Sequence, residues 1–238
     1  MGIRSRLKAW RDSDDYPANR NEWEKAWDYA QMNDDFVRAA DPYLDELAEA
    51  QALLKDAPDH AISLIVDLAR RGSVWSMLNL AGYYLHGEGT PVSFPDAEYW
   101  YRLAHEAGSD RGLLGYAWIL HHRGAFDQEA EVYAVGVARD WGPALYRAAK
   151  HSLENARTLE ERLALKPMLQ RAADLGHPSA QLMLSRYMMR GRFGLRCVPA
   201  GIIRGYFWVK SGLAGLEIGA ARLKRRQSEI APSDVTIH

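Results

Sequence analysis

Small and apolar residues recur along this chain with the period of a helix. Ser76, Leu80, Ala81 and Tyr84 stand at i, i+4, i+5 and i+8 and so share one helical face, where the small members let a partner helix come close. Gly87-Glu-Gly89 ends that stripe, and Pro91 and Pro95 beyond it cannot continue a helix. Ala97, Trp100 and Ala104 then predict a second, antiparallel helix closed by Gly108.

The pair repeats. Gly72, Gly108, Gly142 and Gly176 are spaced by 36, 34 and 34 residues, the period of a helical repeat array in which each unit closes its neighbour's core. In the next unit Gly112, Tyr116, Ala117 and Leu120 take the first-helix positions, Ala130 and Tyr133 repeat the Ala97/Trp100 spacing, and the glycine loop shrinks to Arg123-Gly124. The third keeps Ala144, Ala148, Ala149 and Ala172-Ala173 but carries Pro167, which predicts a break or kink near Lys166. The fourth keeps Ala180-Gln181, Leu184, Gly191 and Gly205-x-x-Trp208, with a longer connection around 192–201 that contains Cys197. Upstream, Ala61, Leu64 and Leu68-Ala69 predict a second helix over His60 to Arg71, and Pro42 to Lys55 its first. Asn21 to Ala40, with Trp23, Ala26, Trp27, Ala30 and Phe36, predicts one further helix capping the array.

The unit from Ser76 to Gly108 resembles the Sel-one-like repeat, a relative of the tetratricopeptide repeat, and the resemblance covers roughly Pro42 to Leu216. It implies an all-α fold, an α/α superhelix (solenoid) of antiparallel helix pairs, right-handed. Residues 1–41 would form an N-terminal helical cap, 42–216 an array of about five repeats, and 217–238 a C-terminal helix end and polar tail. It also implies that the first helix of each pair lines a concave face. The outward positions there are Trp75, Asn79, Gly82 and His86, then Arg111, Trp118 and His122, then Tyr146, Arg147 and Lys150, then Ser179, Arg186 and Arg190. Aromatic side chains mix with cations in this set and no carboxylate occurs, which suits a protein or peptide segment carrying acidic and apolar groups. Trp75 and Trp118 also admit a reading as core between adjacent repeats. The family implies a non-enzymatic interaction scaffold or adaptor in a bacterial-type cytoplasm, or alternatively an immunity-type protein that neutralises one dedicated toxin or effector.

Composition adds little to this picture. Hydrophobic residues make up 47% of 238, enough for a packed core, and the net charge is −1. The ends differ in sign: residues 1–60 carry 14 acidic and 8 basic side chains, residues 186–238 carry 10 basic and 3 acidic. Solvated faces account for this, and so would head-to-tail contact in a homo-oligomer or an acidic partner at the C-terminal end. Arg222-Leu-Lys224-Arg225-Arg226 lacks neighbouring aromatic residues for stacking, so no nucleic-acid partner is expected. No apolar run reaches membrane-spanning length, Met1 to Asp15 lacks the apolar stretch of a signal peptide, and Arg6 stands where N-myristoylation needs Ser or Thr, so a cytoplasmic protein without membrane contact is expected.

Catalysis is the disfavoured alternative. His86, His105, His121, His122, Asp96 and Asp127 have no spacing that makes them converge on a metal, Gly87-Glu-Gly89 lacks the rest of a dinucleotide loop, and the single Cys197 excludes a disulfide framework. No cofactor and no metal is expected.

Overall fold

The computed structural model describes residues 28–207, and among them every regular element is helical. Trp23, Ala26 and Trp27 of the expected cap, Trp208, the end of the array at Leu216, the 217–238 tail and the basic run at 222–226 lie outside the described residues. The chain divides into two compact units, Met1–Ala148 and Ala149–His238.

In the first unit the elements are α1 (Asp34–Ala39), α2 (Leu44–Ala52), α3 (Pro58–Arg70), α4 (Val74–His86), α5 (Phe94–Glu106), α6 (Asp110–Arg123), α7 (Phe126–Ala138) and the start of α8 (Gly142–Asn155). From α2 to α7 each helix packs on the next, and α1 packs out of sequence on α4. Short turns force neighbours antiparallel. Leu47, Ile65, Leu68, Leu80, Ala81, Trp100 and Ala104 form one buried cluster, and Leu113, Ala117, Leu120, Val132, Tyr133 and Ala144 another. The stripes predicted for α4 and α5 face inward: Ser76, Leu80, Ala81, Ala97, Trp100 and Ala104 are buried, and Tyr84 packs half-buried against them.

One device joins each pair to the next. The last turn of α3 closes with Ser73 N–H donating to the Leu68 carbonyl and Gly72 N–H to that of Ala69, with Gly72 at φ +101. Ser73 then caps α4, its hydroxyl accepting from Ser76 N–H at 3.1 Å. Gly108-Ser109 does the same between α5 and α6, the hydroxyl of Ser109 accepting from Gly112 N–H.

The third of these junctions departs from the expected glycine period. Asp140, not Gly142, adopts the left-handed conformation at φ +55, Trp141 N–H donates to the Gly136 carbonyl, and Gly142 is the first residue of α8. Aspartate tolerates this region because its short side chain bonds locally. The repeat register therefore starts two residues earlier than Gly142 suggested.

The cap also differs from expectation. The helix predicted over Asn21–Ala40 is interrupted at 31–33 and resumes as the six-residue α1, because Asn33 spends its backbone N–H and both side-chain polar atoms on the α5–α6 junction.

In the second unit α9 (Leu159–Asp174) packs on α10 (Pro178–Met189), and a 3-10 turn, Leu195–Cys197, leads into helical residues 198–207. Leu169, Ala172, Ala173, Ala180, Leu184, Met188 and Phe193 are buried here. Gly176-His177 repeats the junction device, with a buried histidine ring in place of serine: His177 Nδ1 accepts from Ala180 N–H. Of the break or kink expected near Lys166 there is no break, since α9 runs through Pro167. Pro167 and Leu163, whose carbonyl loses its helical partner, are both exposed, so water can satisfy that carbonyl.

Candidate functional site

Three of the outward positions of the first helices in the first unit, Trp75, Arg111 and Arg147, are occupied, and the occupant is the chain's own segment 28–41, a strap. It crosses the N-terminal ends of α8, α6 and α4 in turn, making contacts at each. At α8, the Asp28 carboxylate pairs with Arg147, and the Gln31 carbonyl accepts from Trp141 Nε1–H at 3.1 Å. At α6, Asn33 Oδ1 accepts from Asp110 N–H at 3.0 Å, Asn33 Nδ2 donates to the Gly108 carbonyl at 2.9 Å, and Asp34 pairs with Arg111 at 2.5 Å. At α4, Asp41 Oδ2 accepts from Trp75 N–H at 2.9 Å and from the Ser73 hydroxyl at 2.8 Å. Two of these attachments place an oxygen acceptor at a helix N-terminus, where unpaired N–H groups and the helix dipole favour it.

Arg111 is the centre of the site that holds this strap. Its guanidinium lies 5.1 Å from the centroid of Trp75 and 5.4 Å from that of Tyr29, and Arg38 approaches Trp75 from the strap at 5.8 Å. Beside it the buried Asp110 accepts from Asn33 N–H and pairs with Arg139 at 2.7 Å. Burial raises the pKa of Asp34 above its ordinary value despite the neighbouring Arg111, with Asp110 and Asp35 adding repulsion.

The expected binding residues thus have different fates. Trp75 and Arg111 hold the strap, and so does Arg147. Asn79 is used internally, donating to the Trp75 carbonyl and accepting from Gln51. Tyr146 is buried, a correction to its expected outward position: with the register set by Asp140-Trp141 it takes the place that Leu78 has in α4, a core position. Ser179 is likewise buried, as the second residue of α10. Gly82 is half-buried and His86 exposed.

Trp118 and His122 stand clear of the strap. Trp118 is 42% exposed and stacks on Phe94, itself 48% exposed, at 6.5 Å with 15° between rings. His122 lies 3.8 Å from Trp118, and its Nδ1 donates to the Trp118 carbonyl. His121 stacks edge-on against Phe126, 45% exposed, at 5.6 Å, and bonds Glu129 at 3.0 Å. A tryptophan filling core would be covered, so these rings form an open aromatic patch at the C-terminal end of α6. In the second unit Lys150, Arg186 and Arg190 are exposed.

Sequence reasoning missed Asp28, Tyr29, Asn33, Asp34, Asp41 and Asp110. Their partners lie up to 119 residues away, and the only trace of any of them was the acidic excess of residues 1–60, to which Asp28, Asp34 and Asp41 belong. Among the described residues no helix is long and apolar enough to cross a membrane.

No protein-family model matches the chain, and neither does any curated protein. Among solved structures it is similar to a protective antigen of uropathogenic Escherichia coli strains displaying an SLR fold, at 17% identity and a TM-score of 0.51, over 67% of this chain and 37% of that one. A Sel1 repeat protein from Oxalobacter formigenes is similar at 19% identity and a TM-score of 0.44, over 57% of this chain and 55% of that one. This chain therefore spans little more than a third of the first structure and about half of the second. The helix pairs, the cap-linked junctions and the likeness to the first of these structures agree: the chain has the all-α superhelical fold of the Sel1-like repeats.

Proposed function

We propose that this chain is a non-enzymatic protein-interaction scaffold whose first-helix face receives an acidic and apolar segment of a partner. The observation that carries this reading is the strap: the same face already holds an acidic stretch of polypeptide through Arg111, Arg147 and the N-terminus of α4. A surface that selects Asp28, Asp34 and Asp41 from its own chain has the chemistry to select such residues from another. Trp118, Phe94 and His122 supply the exposed apolar anchor, and Lys150, Arg186 and Arg190 offer cations on the second unit. A cytoplasmic setting and an immunity-type role against one target are compatible with the same chemistry.

The test is affinity and its salt dependence for a partner captured from the native organism. Trp118→Ala should weaken binding by at least about 1–2 kcal/mol with its salt dependence retained, because a rigid aromatic anchor carries affinity. Arg186→Glu with Arg190→Glu should weaken binding and flatten the salt dependence, because exposed cations act mainly on encounter and register. Folded variants that all keep wild-type affinity would remove this face from consideration.

A further inference from the structure

We propose that residues 28–41 are a built-in, displaceable occupant of the Arg111 site, and that the partner of this site is an acidic segment which takes the strap's place. This rests on the reading of the first-helix face as a protein-binding surface and adds what binds there and what it must first remove.

The strap has the contacts of a ligand more than those of a core element. Val37 is the one apolar side chain in 28–41 that is buried, while Tyr29 and Phe36 are exposed, so its attachment is chiefly polar. Its one helix that lies wholly within the described residues, α1, has six residues, too short to persist without what it packs on. Its fit is also incomplete. Asp34 Oδ1 and Arg111 Nε are buried, yet neither has a hydrogen-bond partner among the described residues. A guanidinium offers a carboxylate two parallel N–H groups, and a partner meeting Arg111 through Nε as well would satisfy a donor that Asp34 leaves unmet. Desolvation of Asp34 works against the docked strap in the same sense.

The contacts also define the competitor. It presents one carboxylate to Arg111 between Trp75 and the ring position of Tyr29, a second to Arg147, and a third to Ser73 and Trp75 N–H at the start of α4. In the strap those carboxylates are six and seven residues apart, at Asp28, Asp34 and Asp41. An acidic peptide with that spacing and an aromatic residue near its first carboxylate fits. A basic or purely apolar one does not, because it would leave Arg111 and Arg147 desolvated without a counter-charge.

The experiment uses the full chain and, as probe, a fluorescein-labelled peptide copying residues 28–41. Anisotropy should show weak binding to the wild type, whose site is filled in cis. In a chain carrying Asp28→Ala and Asp34→Ala the strap is loosened and the peptide should bind at least about tenfold more tightly, since a conformational cost to binding is removed. Adding Arg111→Gln should abolish that gain. Hydrogen exchange on the same samples should show 28–41 exchanging faster while α4 and α6 stay protected, which also establishes that the variants are folded. Should the double variant not fold, Asp34→Asn alone should move both readouts the same way. The proposal is overturned if the loosened chain binds the peptide no more tightly, or if 28–41 exchanges only together with α4 and α6. A partner that still loses affinity through Trp118→Ala under that outcome would leave the scaffold reading standing and remove only the displaceable strap.

Discussion

Replacing Trp100 by alanine is expected to destabilise the chain by about 3–5 kcal/mol, the range for emptying a large aromatic site in a packed core. Trp100 lies in α5, is 6% exposed, and belongs to the buried cluster that also holds Leu80, Ala81 and Ala104. Its ring also meets Tyr99 edge-on at 4.9 Å. Ala81 and Ala104, the small members of this cluster on α4 and α5, carry only a Cβ on their helix backbones and cannot move to fill a cavity of indole size. Urea denaturation checks this: the midpoint should fall with the slope unchanged. An unchanged midpoint would mean that the α4–α5 interface is not packed around this residue.

Gly112→Ala should cost about 1–3 kcal/mol, although alanine is the better helix former by about 1 kcal/mol. The reason is the approach of α6 to α5. A Cβ on Gly112 would lie 2.5 Å from the His105 nitrogen and 2.8 Å from the Ala104 carbonyl carbon, backbone atoms that cannot swing aside as a flexible side chain does. Gly82→Ala makes the comparison sharp. Gly82 sits in the middle of α4 and its added Cβ would meet nothing within 4 Å, so the substitution should stabilise by about 0.4–1 kcal/mol. Opposite signs for these two helical glycines would show that helix approach, and not propensity, fixes Gly112. Equal signs would contradict the α5–α6 packing described above.

The fold was legible because helix pairing is written in local spacing. Ser76, Leu80 and Ala81, then Ala97, Trp100 and Ala104, are near neighbours in sequence, and their burial follows from the 3.6-residue period alone. The turn series was legible where glycine supplies the left-handed residue, at Gly72, Gly108 and Gly176. It failed where Asp140 does so, and Tyr146, expected in the groove, lies in the core. Of the break or kink read from Pro167, the break did not form, because a proline's cost depends on whether the freed carbonyl meets water, which the sequence does not state.

The candidate site was legible only in part, for a different reason. The outward phase of α4 and α6 picked out Trp75, Arg111 and Trp118, but what each of them meets is decided by long-range contact. Arg111 finds Asp34 and Trp75 finds Arg38 and Asp41, pairs that no local pattern links. The acidic excess of the N-terminal residues, which solvation would have explained, contains the three carboxylates by which the strap is held, Asp28, Asp34 and Asp41.

The claim that partner chains are held on the first-helix face, and not on the opposite one, is tested most directly by site-specific photo-crosslinking within a single helix pair. A benzophenone side chain at position 122, on α6 beside Trp118, is compared with one at position 135, an exposed valine on the second helix of the pair, α7. In extracts of the native organism, position 122 should give discrete protein adducts that Trp118→Ala diminishes and excess unlabelled 28–41 peptide reduces, while position 135 gives none above background. Adducts at 135 equal to or stronger than those at 122 would contradict the account and place recognition on the second helices.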